Sequence, residues 1–429
     1  MKKLTWTVML MLAAIMLLMA ACGPDREEES GADSGGSGSG GEEPEKPESL
    51  TVWVNNNDEQ SAAYEEIAEG FTEEHGIEVK FNRMDLDEQI ENVSLDGPNG
   101  NGPDLFFAVH DGIGEITLQG LAAPLEIEEE RLEEYEEEAI QAMTYEEELY
   151  GVPAVTETYA LMYNKELMEE APETLEDLEV AAEDLTDASN DEYSFLMEAA
   201  NFYFTYPFMT AEGGYVFNQK ENGEYDASDI GLDNKGAIEG ASMIQSWYEN
   251  GYIPQGINAD ILNGLFEDGK VGAVVNGPWA INDYANAIGE ENLGVAPLPT
   301  NEAGENLRTF SGVKGWLVSQ FAEDNSKYWG TELALHMTNA DSSKTYYEVS
   351  SEVPAITEVI ESDLIQEDEY FAGFAEQTQY SEPMPSIPEM AQVWDPMGEA
   401  HEYIAEGEDP AEVLPEAVEQ IESEIQMQQ

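Results

Sequence analysis

The segment Leu105-Phe106-Phe107-Ala108-Val109 constrains the fold most, because it is an unbroken apolar run between two turn signals, Gly102-Pro103-Asp104 and His110-Asp111-Gly112. A strand with one wet face alternates apolar and polar residues. One that does not alternate is buried on both faces, as in a parallel sheet covered by helices. The neighbouring pattern agrees. Leu50-Thr51-Val52-Trp53-Val54 reads as a first strand, and Asn55-Asn56-Asn57-Asp58 as a turn. Ala62, Tyr64, Ile67, Ala68 and Phe71 then recur at helical spacing up to a stop at Gly76, and residues 77–81 read as a second strand. Further short strands are expected at 159–163, 271–275 and 294–297, with a mostly helical pattern from residue 323 onward. Strand–helix alternation of this kind predicts an α/β fold. A length of 429 residues suggests two or three domains.

The first stretch does not belong to that core. Lys2 and Lys3 precede an apolar run over 4–21, interrupted only by Thr5 and Thr7, which predicts a secretory signal peptide at 1–21. Met19-Ala20-Ala21-Cys22 resembles a bacterial lipobox, so cleavage before Cys22 would leave it as a lipidated N-terminus, a lipid anchor on the outer face of the cell membrane. Cys22 is the single cysteine, which excludes an intramolecular disulfide and a paired-cysteine zinc site. Residues 22–48 are expected to be a disordered acidic linker: Gly-Ser repeats over 34–41, Glu-rich flanks, Pro44 and Pro47. A flexible chain of that length spans about 25–30 Å.

The chain carries 93 acidic residues against 15 basic ones, a formal net charge of −78. Such a surface repels nucleic acid and anionic lipid headgroups. Much of the charge lies in runs such as 126–137, which read as solvated helix faces. Mutual repulsion of these carboxylates is screened when the Debye length falls to about 3 Å near 1 M salt. We therefore hypothesise a saline or alkaline habitat, and expect the thermal midpoint to rise between dilute and molar NaCl. A midpoint indifferent to salt would remove the hypothesis.

Signals for catalysis are sparse. The four histidines, at 75, 110, 336 and 401, form no HExxH pair. Gly112-Ile113-Gly114 lacks the rest of a dinucleotide fingerprint, and neither a Walker lysine loop nor a GxSxG elbow occurs. The expectation is a binding protein with no cofactor and no metal. The remote alternative is an exported glycoside hydrolase, which needs only two suitably spaced carboxylates. Aromatic residues point to sugar: Trp279 in Asn276-Gly277-Pro278-Trp279 and Trp394 in Gln392-Val393-Trp394-Asp395-Pro396 both sit in loop-like contexts. An indole ring stacks on the apolar face of a pyranose while nearby carboxylates accept hydroxyl protons.

From Leu50 to the C-terminal helices the chain resembles the maltose/maltodextrin-binding proteins of bacterial ABC importers. The resemblance rests on Leu50-Thr51-Val52-Trp53-Val54-Asn55, Gly102-Pro103-Asp104-Leu105-Phe106-Phe107, His110-Asp111 and Tyr163-Asn164-Lys165. It continues through Phe202-Tyr203-Phe204-Thr205-Tyr206-Pro207, Gly213-Gly214-Tyr215, Asn276-Gly277-Pro278-Trp279, and Met384-Pro385-Ser386-Ile387-Pro388-Glu389-Met390 leading to Trp394. It implies a two-lobed type II binding-protein fold, with residues 50–155 plus 313–362 in the first lobe and 156–312 plus 363–429 in the second. The chain would cross between lobes near 155–158, 311–313 and 363–369, and a maltodextrin-like oligosaccharide would lie in the cleft. The partners implied are the membrane permease subunits, and the receptor is expected to be a monomer.

Matched positions imply roles. Asp111, Asp87, Glu157 and either Asn57 or Asp58 would accept bonds from sugar hydroxyls. Tyr203 and Trp394 would stack on rings, Trp279 would cover another ring face, and Phe202, Phe204 and Met384 would form an apolar wall. Departures from the best-studied branch concentrate here: Ala108 and Gly112 stand where that branch has a tryptophan and an arginine, Asn201 stands for a glutamate, Asp395 for an aromatic and Gly398 for a basic residue. These changes suggest a longer maltodextrin, a cyclodextrin or another oligosaccharide in place of maltose.

Overall fold

Two turns of chain chemistry start the fold. The computed structural model describes residues 43–220 and 224–428, so the expected leader, Cys22 and the linker up to residue 42 lie outside it. Strand β1 (Ser49–Asn55) leads into helix α1 (Asp58–His75), whose first turn is capped by the Asn57 side chain accepting from the Glu59 and Gln60 amides. The helix ends where Gly76 adopts φ 73°, a left-handed conformation that lets its N–H reach the Thr72 carbonyl. Strand β2 (Glu78–Met84) pairs parallel with β1 over its whole length, and β3 (Leu105–Val109) pairs parallel on the other side. Central β3 is buried except at Val109 and β1 over most of its length, while edge strand β2 is mostly wet.

The chain continues through β4 (Gly151–Thr158), β5 (Ala160–Asn164), β6 (Tyr193–Leu196), α2 (Phe202–Thr210), β7 (Val271–Asn276) and β8 (Leu293–Ala296). It then forms β9 (Phe310–Val318), α3 (Asp324–Thr338), α4 (Ala340–Ser350), β10 (Glu382–Pro383) and α5 (Trp394–Glu406). Two sheets result. The first runs β10-β9-β3-β1-β2, with β4 paired antiparallel to β9; the second runs β8-β5-β7-β6. Only Tyr159 separates β4 in the first sheet from β5 in the second. The segment from β8 to β9 carries the chain back. The strands expected at 77–81, 159–163, 271–275 and 294–297 all form, with ends shifted by at most three residues.

Each sheet has its own apolar core. In the first, Trp316 of β9 meets Tyr64 edge-on with ring centroids 4.8 Å apart and lies 4.7 Å from Phe107. The second gathers Leu161, Phe195, Phe208, Trp247, Val274 and Met397. Late in the chain Ile365 still belongs to the first core, whereas Phe374 belongs to the second. The architecture is the two-lobed α/β type II fold.

One expectation needs correction. The end of the acidic linker is not loose: Trp329 Nε1 donates to the Pro44 carbonyl at 3.2 Å, and Asn325 Nδ2 to that of Glu45 at 3.2 Å. Lys46 lies over the Trp329 ring, 4.9 Å from its centroid, and donates to the His75 carbonyl at 3.1 Å. Low hydrophobicity predicts that this stretch has no core of its own, but its backbone carbonyls and one lysine find partners on α1 and α3.

Candidate binding cleft

In α/β sheets, ligands bind beyond the carboxyl ends of the parallel strands. Here a cavity of about 710 Å³ opens beyond β2 and β3, and its walls also take in Glu157 from β4, Tyr203 from α2, and Met384 and Trp394 from the C-terminal segment. That size is ordinary for a small-ligand site.

Asp111 sits in the single 3-10 turn His110–Gly112 that follows β3. Its Oδ2 accepts a hydrogen bond from Trp394 Nε1 at 3.1 Å. Burial pushes the Asp111 carboxyl up to about 6, while the Trp394 donor and local backbone amides pull the other way. The Trp394 ring begins α5 and is propped from behind by Phe202, 5.9 Å between centroids, and Phe310, 6.0 Å. A half-buried indole held on two sides is preorganised for stacking.

Tyr203 lies in the first turn of α2, a helix capped by Asn201, whose side chain accepts from the Tyr203 amide at 3.0 Å. The Tyr203 carbonyl accepts from the Tyr159 hydroxyl, and its ring packs 4.6 Å from that of Tyr159. Its own hydroxyl is buried and has no hydrogen-bond partner among the described residues. Burial, with the carboxylate of Glu157 beside it, holds that phenol well above the ordinary tyrosine range. A buried hydroxyl left unpaired is costly, and this one belongs to a residue that lines the cavity. Glu157 lies between this cavity and a second of about 450 Å³ on the other side of β4.

His110 fastens these pieces together. Its Nδ1 accepts from the Val313 amide at 3.1 Å, which fixes the tautomer and makes Nε2–H the donor to the Met384 carbonyl at 3.1 Å. One neutral imidazole thus ties the turn carrying Asp111 to β9 and to the segment carrying Met384.

Of the side chains expected to bind sugar, the structure brings Asp87, Asp111, Glu157, Tyr203, Met384 and Trp394 to one cavity. Five others stand elsewhere. Asn57 spends its side-chain oxygen on capping α1. Asp58 is solvent-exposed and paired with Arg83. Phe202 and Phe204 do not line the wall: both are buried in the second core, where Phe202 backs Trp394 and Phe204 packs edge-on against Tyr159. The reason is helical geometry, since consecutive positions of α2 point about 100° apart and only Tyr203 faces the cleft. The ring of Trp279 lies folded against Gly277, where no Cβ would fit, and within 5.4 Å of the Lys314 amine. Four of the five departures, Ala108, Gly112, Asn201 and Asp395, line the cavity. Sequence reading missed Glu91 and Glu115 on its rim, which an i-to-i+4 reading from Asp87 and Asp111 would have found.

Residues 66–373 match the family of bacterial extracellular solute-binding proteins. The chain belongs to that family. This solute-binding protein is 35% identical to the galactooligosaccharide-binding protein of Bacillus subtilis, over 98% of its own length and 97% of the relative's. It is 36% identical to the maltodextrin-binding protein MdxE of the same organism, over 77% and 79% of the two chains. Among solved structures it is similar to a cyclo/maltodextrin-binding protein complexed with maltotetraose, with a TM-score of 0.75 at 38% identity, covering 90% of this chain and 99% of that one.

Proposed function

We propose that this solute-binding protein is the receptor of an ABC importer for maltodextrin-type oligosaccharides, anchored to the outer face of the cell membrane through lipidated Cys22 and acting as a monomer without catalysis. The observation that carries the sugar reading is the unpartnered Tyr203 hydroxyl beside Asp111 and Glu157, in a cavity walled by Trp394. Two carboxylates and a phenol offer acceptors and a donor to sugar hydroxyls, and the indole offers the face on which a pyranose stacks. Small or short residues at 108, 112 and 201 leave room in that cavity, which favours chains longer than maltose. Asp87, Asp111 and Glu157 would accept sugar hydroxyls, and Met384 would supply apolar wall.

The reading divides the body into a first lobe of 50–155 plus 313–362 and a second of 156–312 plus 363–429. Asp111 and Trp394 then belong to opposite lobes. A ligand contacting both favours the closed arrangement by its differential affinity for it. The closed receptor would deliver its cargo to the membrane permease.

A second reading is favoured by the galactooligosaccharide-binding relative, which matches this chain from end to end. Tryptophan fluorescence titration with maltose, maltotriose, maltotetraose, cyclodextrins and β-linked galactooligosaccharides separates the two. Saturable responses to α-glucans, without hydrolysis on prolonged incubation, are expected. A response to the galactosides alone would replace the proposed cargo, and product formation would replace the receptor by an enzyme. Release of the protein into the medium on Cys22→Ala substitution tests the anchor.

A further inference from the structure

Strand β9 reads Phe-Ser-Gly-Val-Lys-Gly-Trp-Leu-Val, with a single charge at its centre. That residue, Lys314, is buried, with only 3% of its side chain exposed. Its amine has three neighbours. Glu157 Oε2 lies 2.6 Å away, Glu352 is in direct contact, and the Trp279 ring centroid is 5.4 Å off. Glu352, fully buried after α4, also accepts from the Tyr346 hydroxyl. Lys314 is thus fixed from the first core and reaches out to a cleft carboxylate.

A buried ion cluster is a poor device for stability, because desolvation offsets most of the attraction and apolar replacements do as well or better. This one ends on Glu157, which faces the cavity. We propose that Lys314 is a positioning residue of the sugar site: its amine, ion-paired with one oxygen of Glu157, holds that side chain in place and leaves the other oxygen to the ligand. The proposal rests on the reading of the cleft as a sugar site.

Four groups face Glu157: Lys314 from β9, Glu352 from the loop after α4, Asp111 from the turn after β3, and Tyr203 from α2. Burial pushes the Glu157 carboxyl up, Lys314 pulls it back down, and Glu352 and Asp111 add to the upward push. Burial would lower the Lys314 amine, but the two carboxylates outweigh it and hold the amine firmly charged. Without Lys314, Glu157 would hold its proton to a higher pH and present a weaker acceptor.

The test is a double-mutant cycle on maltotetraose affinity, read by NMR titration into the millimolar range at several pH values. Lys314→Met is expected to weaken binding about tenfold or more at pH 7, the scale of one charge-assisted hydrogen bond. It should also move the acid limb of the affinity profile to higher pH. In a Glu157→Gln background the same substitution should change affinity less than about twofold and shift nothing. Equal losses in both backgrounds with unchanged profiles overturn the proposal and leave Lys314 a structural residue. Because Lys314→Met alone strands two buried carboxylates, the cycle is run also in Glu352→Gln protein, where one of them is neutral. If the parent protein binds no maltodextrin at all, the sugar reading falls and this proposal with it.

Discussion

Trp394→Ala is expected to weaken maltotetraose binding at least about thirtyfold, the effect of removing an aromatic hot spot worth about 2 kcal/mol. Two losses combine. The ring, propped by Phe202 and Phe310, no longer offers a stacking face. Asp111 also loses its one side-chain donor, and burial then drives its carboxyl further up from about 6. Trp394→Phe separates the two, since it keeps a ring but not the donor, and should fall between parent and alanine. Calorimetric titration at pH 7.5 reads both variants. Parent-like affinity in the alanine variant would show that the ligand does not lie against this wall.

The second large effect concerns acid. Burial holds the His110 imidazole down at about 4, against an ordinary value of 6.5, with the Met384 carbonyl pulling weakly upward. The folded state therefore takes up this proton later than the unfolded chain does. Its contribution to stability is complete above about pH 6.5 and is lost as pH falls toward 4. His110→Gln should accordingly be less stable than the parent at pH 7.5, and that gap should shrink by about 2–3 kcal/mol at pH 4.5. His401, also lowered to about 4 by burial, loses stability over the same window. Asp111 works in the opposite sense, because a raised carboxyl favours the folded state as pH drops below about 6. Comparing parent and variant isolates His110 from both. Urea unfolding at the two pH values measures the gap; a gap independent of pH would refute the buried neutral imidazole.

Periodicity placed the first strands and helix, because buried strands and amphipathic helices write their environment into residue type, whereas the two-lobed division came from the family resemblance. Leu105–Val109 is legible as a central strand since each of its side chains must be apolar on either face. Asn57 and Asp58 show the limit. The same polar residues serve a helix cap or a ligand, and only the bond to the Glu59 and Gln60 amides decides between them. Phe202 and Phe204 show another limit, because a stretch of aromatics does not say which face of its helix is wet. Lys314 does carry a signal in the sequence: a lone lysine in an apolar strand must find buried partners, here Glu157 and Glu352, both far from it along the chain.

The docked segment at Pro44–Lys46 has a mechanical consequence. It meets the body at the beginning of β1, whereas the cleft opens at the other ends of the parallel strands, some 20 Å away along a seven-residue strand. In the membrane-anchored receptor proposed above, load drawn through the N-terminus would enter at Trp329 and the start of a central strand paired on both sides. Drag on the tail would then be taken up at the strand ends away from the cleft, and the residues proposed to hold sugar would be spared it.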